Sequence, residues 1–213
     1  MRSDVLLVAR PGRGTHIECT GGITARRTGA ETVHLLSAAA TPLGGDVITV
    51  RIIVEPGARL AVRSVAASVV LPGAATCESH STWDAEVHGE LDFDPEPTVI
   101  AGKSRHSAAT RVRVAADARI RVRERIQIGR HGERDGYWTG SMRADVDGAP
   151  LLRHRVELGT ASVNDDQIAA PRACVSELRY PEASFAGAGT VLSLAGGGAL
   201  STWQGLRLDE TPA

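Results

Sequence analysis

Several residue groups in this chain have types and spacings that could do chemistry. Gly102-Lys103-Ser104 has the ending of a phosphate-binding loop, in which backbone N–H groups and a lysine hold a polyphosphate. That loop needs a glycine five positions before Gly102, and Pro97 stands there, so the triplet reads as a surface turn after Ile100. The seven histidines, His16, His34, His80, His88, His106, His131 and His154, show neither a His-Glu-x-x-His pair nor a close His/Cys spacing. No preformed catalytic metal cage is expected. Scattered Ser, His and Asp could compose a nucleophilic triad, but the Gly-x-Ser-x-Gly turn that exposes a nucleophile is missing, which leaves a hydrolase as the lesser alternative.

Two polar residues break the local apolar pattern instead. Glu124 is in phase with Ile120, Val122, Ile126 and Ile128, so its carboxylate points to a buried face, where an unpaired ionised group costs several kcal/mol. His154 shares a face with Leu152, Val156 and Leu158. Each group is either a satisfied buried polar residue or part of the lining of a wet interior path, where carboxylate and imidazole suit a borderline divalent cation as transient ligands. On the opposite face Arg121, Arg123 and Arg125 form a basic ladder, either a solvated face or a docking surface for an acidic partner. Gly129 is expected to end that strand with a bend that lets Arg130 face a partner or a carboxylate.

The elements that must hold these groups are strands. Apolar residues alternate with polar ones from Arg119 to Arg130, and shorter runs recur at Val47 to Val54, Leu60 to Val65, Thr82 to Phe93 and Thr110 to Val114. Residues 115–118 are short enough to join two antiparallel strands. Asp147-Gly148 signals a hairpin between Ser141 to Val146 and Leu151 to Leu158, because both positions of a type I′ turn need positive φ. The period of two fades from Ala161 to Leu178, around Pro171, where one or two short helices are expected. Gly196-Gly197-Gly198 reads as a turn between two last strands, with a frayed tail from about residue 209. No repeat or Pro/Ser-rich linker divides the chain, so a single all-β domain over residues 1–213 is the simplest account.

Composition narrows the partners. Lys and Arg number 24 against 25 Asp and Glu, and only seven residues are aromatic, which argues against nucleic acid. Val5 to Ala9 is too short for a signal sequence, no apolar run reaches membrane-spanning length, and Cys19, Cys77 and Cys174 form neither a disulfide framework nor a paired zinc site. A cytoplasmic protein away from membranes is expected.

Thr41-Pro42-Leu43-Gly44-Gly45-Asp46, the strand that follows it, and Glu55-Pro56-Gly57-Ala58 resemble the Gly-Gly-Asp signature, strand and Pro-Gly-Ala turn of the UreD (UreH) family of urease accessory proteins. Leu91-Asp92-Phe93-Asp94-Pro95-Glu96 and Arg123-Glu124-Arg125-Ile126-Gln127-Ile128-Gly129-Arg130 resemble two further family segments. Gly132-Glu133, Trp138, Gly140, Asp147-Gly148 and Pro150-Leu151-Leu152 recur at the family's spacings, so order and spacing agree over roughly residues 30 to 160. The family's Lys-x-Tyr-Arg block is replaced here by Ser68 to Pro72. Asp46 also has a local reading, in which it hydrogen-bonds its own turn after two permissive glycines.

The resemblance implies an elongated single domain of stacked, helically wound β-sheets with a couple of short helices. It implies a non-enzymatic scaffold that assembles with UreF, the GTPase UreG and apo-urease in a hetero-oligomer. In that picture no cofactor is tightly bound, and Ni²⁺ passes transiently during GTP-dependent insertion into urease, along an internal polar route. Glu124 and His154 are the residues expected to line that route, with Asp46 and Asp92 as further candidates. A β-rich binding module unrelated to urease is the alternative.

Overall fold

The structure is a computed structural model and describes residues 1–163, 165, 170–185 and 189–211. Among the described residues seventeen strands form two sheets that face one another. One sheet carries β14 (Ala149–Gly159), β13 (Tyr137–Val146), β11 (Arg105–Val114), β8 (Glu78–Val87), β5 (Val47–Val54), β1 (Arg2–Ala9) and β2 (His16–Thr20), in that order. The other runs β16 (Thr190–Ser193), β17 (Ala199–Gly205), β15 (Ala173–Tyr180), β12 (Arg119–Ile128), β9 (Glu90–Phe93), β6 (Arg59–Ser64), β4 (Thr32–Ser37) and β3 (Ile23–Arg27). Two short strands, β7 (Ser68–Val70) and β10 (Thr98–Ile100), pair with each other, and β10 also pairs with β12.

From β5 to β13 the chain passes repeatedly from one sheet to the other, so neighbouring strands within a sheet come from successive turns of the coil. The ladders β5·β8, β8·β11 and β11·β13 in one sheet, and β4·β6, β6·β9 and β9·β12 in the other, are accordingly parallel. This is the stacked, solenoid-like all-β architecture that the sequence leads one to expect. Its core follows from alternation: Ile48, Val50, Ile52 and Val54 on β5, for example, point between the sheets, while Arg51 points out.

Three local expectations are corrected. Residues 115–118 do not join an antiparallel pair, because β11 and β12 lie in opposite sheets and the segment is a corner of the coil. The run Thr82 to Phe93 is likewise two strands, with the chain crossing between sheets at His88 and Gly89. A corner of this kind keeps the period of two on both sides, so periodicity alone does not reveal it. The stretch assigned to short helices supplies β15, whose Cys174, Ser176, Leu178 and Tyr180 face inward; both faces of that strand are covered, which erases the alternation. Part of that stretch, residues 164 and 166–169, lies outside the described residues. Among the described residues the helical content is one 3-10 turn at Leu208–Glu210, tied to β12 by the Leu208 N–H donating to Gln127 Oε1 at 3.0 Å.

Both hairpins form as expected. Asp147 and Gly148 take φ of 46° and 80° between β13 and β14, and β16 and β17 pair across the triple-glycine turn. No helix among the described residues is long and apolar enough to cross a membrane.

Candidate functional site

The interior holds two separate hydrophobic clusters, a larger one built on β1, β5, β8 and their facing strands, and a smaller one of Val70, Ile100, Ile126, Ile128, Trp138, Val156, Leu158 and Cys174. Between them the apolar pattern fails at one level on four strands. On β12 Glu124 falls between Val122 of the larger cluster and Ile126 of the smaller. On β15 Ser176 falls between Leu178 and Cys174, and on β14 His154 falls between Leu152 and Val156. On β11 Thr110 sits between Val112 and Ala108. A polar layer, interrupted at Met142 on β13, thus lies between the two clusters.

Register and contact join three of its members. Glu124 and Ser176 are direct partners across β12 and β15, and the Ser176 Oγ lies 3.4 Å from the His154 Nε2 of the facing sheet, a long contact. The two residues singled out by inward phase therefore reach toward one another with Ser176 between them. A hollow of about 370 Å³ adjoins this layer, lined by Glu124, Ser81, His106, Thr110, Trp83 and Trp138 among others. It extends to a break in the second sheet. There β9 covers residues 119–122 of β12 and β10 covers 126–128, while 94–97 leave the sheet beside Glu124. Residues 65–67 leave it in the same way between β6 and β7, and both excursions contribute to the lining.

The electrostatics follow from burial. Among the described residues Glu124 has no side-chain hydrogen bond and no ion pair. Glu124 is half-buried and lines the hollow, which is itself partly open. Desolvation pushes it up to about 7. The same environment, with the nearby Glu124, raises the Cys174 thiol. Burial lowers His154 as well.

His106 is 4% exposed, with Ser79 Oγ 2.8 Å from its Nδ1 and Ser81 Oγ 2.9 Å from its Nε2. A neutral ring has one donor and one acceptor nitrogen, so two hydroxyls satisfy it in either tautomer. Desolvation, helped by His80, brings it down to about 4. Among the described residues the buried indole Nε1 of Trp138 has no partner. That ring lies over Gly140, where a Cβ would come within 2.2 Å of it.

The other expected site residues lie elsewhere. Asp46, 4% exposed, accepts hydrogen bonds from Thr41 Oγ1 at 2.8 Å, the Leu43 N–H at 2.9 Å and the Met1 ammonium at 2.6 Å. Burial would raise its carboxyl, but these contacts outweigh that and lower it. Asp92 points out of the second sheet, between the inward Leu91 and Phe93, and pairs with Arg63 and with Arg121 at 3.1 Å. The basic ladder is internally compensated: Arg121 meets Glu177 at 2.9 Å and Asp94 at 3.1 Å, Arg123 lies 3.5 Å from Glu177, and Arg125 meets Asp94 at 3.2 Å. Burial would lower the Arg121 guanidinium, yet Glu177, Asp94 and Asp92 raise it on balance. Arg130 is tied to Glu133 at 2.5 Å, and that contact with two backbone N–H groups holds Glu133 down at about 2.

His106, Ser81, Thr110, Ser176 and Trp138 are site residues that the sequence did not single out as such. Ser and Thr pass unnoticed in a β-pattern, and His106 sits at the start of β11, before the alternation of Thr110 to Val114 becomes visible.

Fold and lining together define a class: an all-β, solenoid-like scaffold whose interior is divided by a polar layer and a hollow. The chain belongs to the UreD urease accessory protein family, whose sequence profile matches residues 21–200. It is similar to Urease accessory protein UreD 1 of Saccharopolyspora erythraea, 37% identical over 190 residues that cover 85% of this chain and 74% of that protein. It is 40% identical to Urease accessory protein UreD of Frankia alni over 192 residues, 75% of this chain and 61% of that protein. Against Urease accessory protein UreD of Parafrankia sp. it is 44% identical over 155 residues, 70% of this chain and 52% of that protein. The chain thus spans less than two thirds of two of these three relatives.

Proposed function

We propose that this chain acts in the cytoplasm as a non-enzymatic assembly factor for urease, binding apo-urease together with UreF and the GTPase UreG, and that nickel ions cross its interior as cargo during GTP-dependent insertion. The observation that carries the reading is Glu124, an unpaired inward carboxyl at the level where four strands turn polar and a hollow opens between two apolar clusters. A carboxyl that titrates near neutrality gives up its proton to an arriving divalent cation at little cost. His154 is kept neutral by burial, so its Nε2 is available as the next ligand once the long Ser176 contact yields. Among the described residues no three His, Cys, Asp or Glu side chains converge in a metal-holding arrangement, so the route offers few ligands at a time. Few ligands favour passage over storage.

A second reading, a module that binds a small molecule, draws on the apolar part of the hollow, where Val50, Trp83 and Phe93 share the lining with Trp138, whose N–H has no partner among the described residues. One experiment decides between them: urease activity and nickel content in cells expressing the urease subunits and the other accessory proteins, with and without this chain. Inactive, nickel-poor urease without the chain and active enzyme with it supports assembly. Glu124→Ala and His154→Ala are then expected to keep the complex but lower the nickel content; if both leave complex and activation unchanged, the nickel route is wrong.

A further inference from the structure

The arginines of β12 are already engaged by carboxylates, but a second arginine row, on the outer face of the seven-stranded sheet, is engaged only at its Arg153 end among the described residues. We infer that Arg51, Arg111 and Arg143 form a docking surface for a carboxylate-rich protein surface. Each is exposed and flanked by buried neighbours on its strand, so alternation aims all three away from the core. The parallel registers align them: Arg51 is opposite Asp84, Asp84 opposite Arg111, Arg111 opposite Arg143 and Arg143 opposite Arg153.

Three arginines therefore stand side by side on β11, β13 and β14, strands about 4.8 Å apart, and like charges directly opposite one another disfavour the sheet that holds them. Internal compensation reaches only part of the row. Arg153 has Asp145 at 2.5 Å, while Asp84 is taken by Arg113 from the next level at 2.7 Å. Among the described residues Arg51, Arg111 and Arg143 have no ion pair and no side-chain hydrogen bond, in contrast to Arg121 and Arg125 on the other sheet. The next level along the strands is Thr49, Thr82, Ala109 and Ser141, small side chains in register, and Thr82, Ala109, Ser141 and Arg143 line an open depression there. An open depression with uncompensated planar donors beside it fits an acidic, folded surface, and arginine is the cation most used at such contacts. A chain with a net charge of −1 and few aromatic residues lacks the broader basic field of a nucleic-acid binder.

The test has two arms. In the first, poly-L-glutamate is titrated into the purified chain at low ionic strength. The triple variant R51A/R111A/R143A is expected to bind about tenfold more weakly, three exposed contacts being worth about 1.4 kcal/mol together, and R51K/R111K/R143K to keep most of the affinity. Relief of the repulsion is expected to leave the alanine variant's Tm unchanged or raised by about 1–3 °C. Equal affinity in wild type and alanine variant overturns the inference, as does a lowered Tm, which would mean that the arginines hold the sheet together. Tighter binding of an oligonucleotide of equal charge, lost in the same variant, would assign the face to nucleic acid and also overturn it.

In the second arm, which rests on the assembly reading, the alanine variant is expected to drop out of the complex co-purified with the urease subunits and accessory proteins. Weakened poly-L-glutamate binding with an intact complex overturns the docking role. If wild type itself neither co-purifies nor activates urease, the assembly reading fails while the first arm still decides this one.

Discussion

Replacing Glu124 by Gln keeps the volume and removes the charge, and its effect on stability can be worked out from the structure. The carboxyl titrates near its ordinary 4.5 in the unfolded chain and at about 7 in the folded one, so the folded state binds the extra proton between those values. The raised pKa therefore favours the folded chain fully below about pH 4.5, and that contribution is lost as pH rises through about 7. At about 1.36 kcal/mol per pH unit, the wild type gives up about 3 kcal/mol across the window.

Glu124→Gln has no such loss. It is expected to be more stable than wild type at pH 8.5, by about 2–3 kcal/mol or about 5–10 °C in Tm, and close to it at pH 4.5. His106 titrates in an overlapping window with the opposite sign, so the wild-type curve alone is ambiguous and the difference between variant and wild type isolates Glu124. Thermal melts of both proteins at half-unit steps from pH 4.5 to 8.5 supply that difference. Parallel curves would refute the reasoning, because they would mean that Glu124 meets water or a cation in the folded state and is not desolvated.

His106 supplies the acid limb. Its folded pKa is depressed to about 4, so neutral burial stabilises the fold above about pH 6.5, and about 3 kcal/mol is lost as pH falls through 4; His106→Gln is expected to flatten that limb in urea midpoints measured from pH 3.5 to 7. Glu177 is 6% exposed and touches Arg121 at 2.9 Å, Arg179 at 2.6 Å and Arg123 at 3.5 Å. Glu177→Gln strands these cations over a covered strand and is expected to cost about 2–4 kcal/mol in urea unfolding at pH 7, and a loss below 0.5 kcal/mol would show the ladder to be solvated instead of load-sharing.

Much of the architecture was legible in the amino-acid order. Alternation marked β5 and β12 almost to the residue, and Asp147-Gly148 marked its hairpin because few other pairs tolerate two positive φ angles. What alternation cannot carry is the sheet to which a strand belongs. Residues 115–118 separate Val114 from Arg119, and the same spacing serves a hairpin or a corner between facing sheets; β15, covered on both faces, carries no period of two at all.

The site divides along the same line. The inward phase of Glu124 and His154 was set by their neighbours in sequence, since on a strand every second residue shares a face. Their meeting through Ser176, the alignment of four polar positions at one level, and the hollow beside them depend on pairings between residues as far apart in sequence as His154 and Ser176 or Glu124 and Ser176. The fate of the arginines depends on the same registers. The period of two places Arg121 and Arg51 alike on an outer face, but only the stacking of the coil sets carboxylates against the first and more arginines in line with the second. A strand's own sequence thus determines which way each side chain points, and pairing across the sheets, which sums contacts from distant segments, decides what it points at.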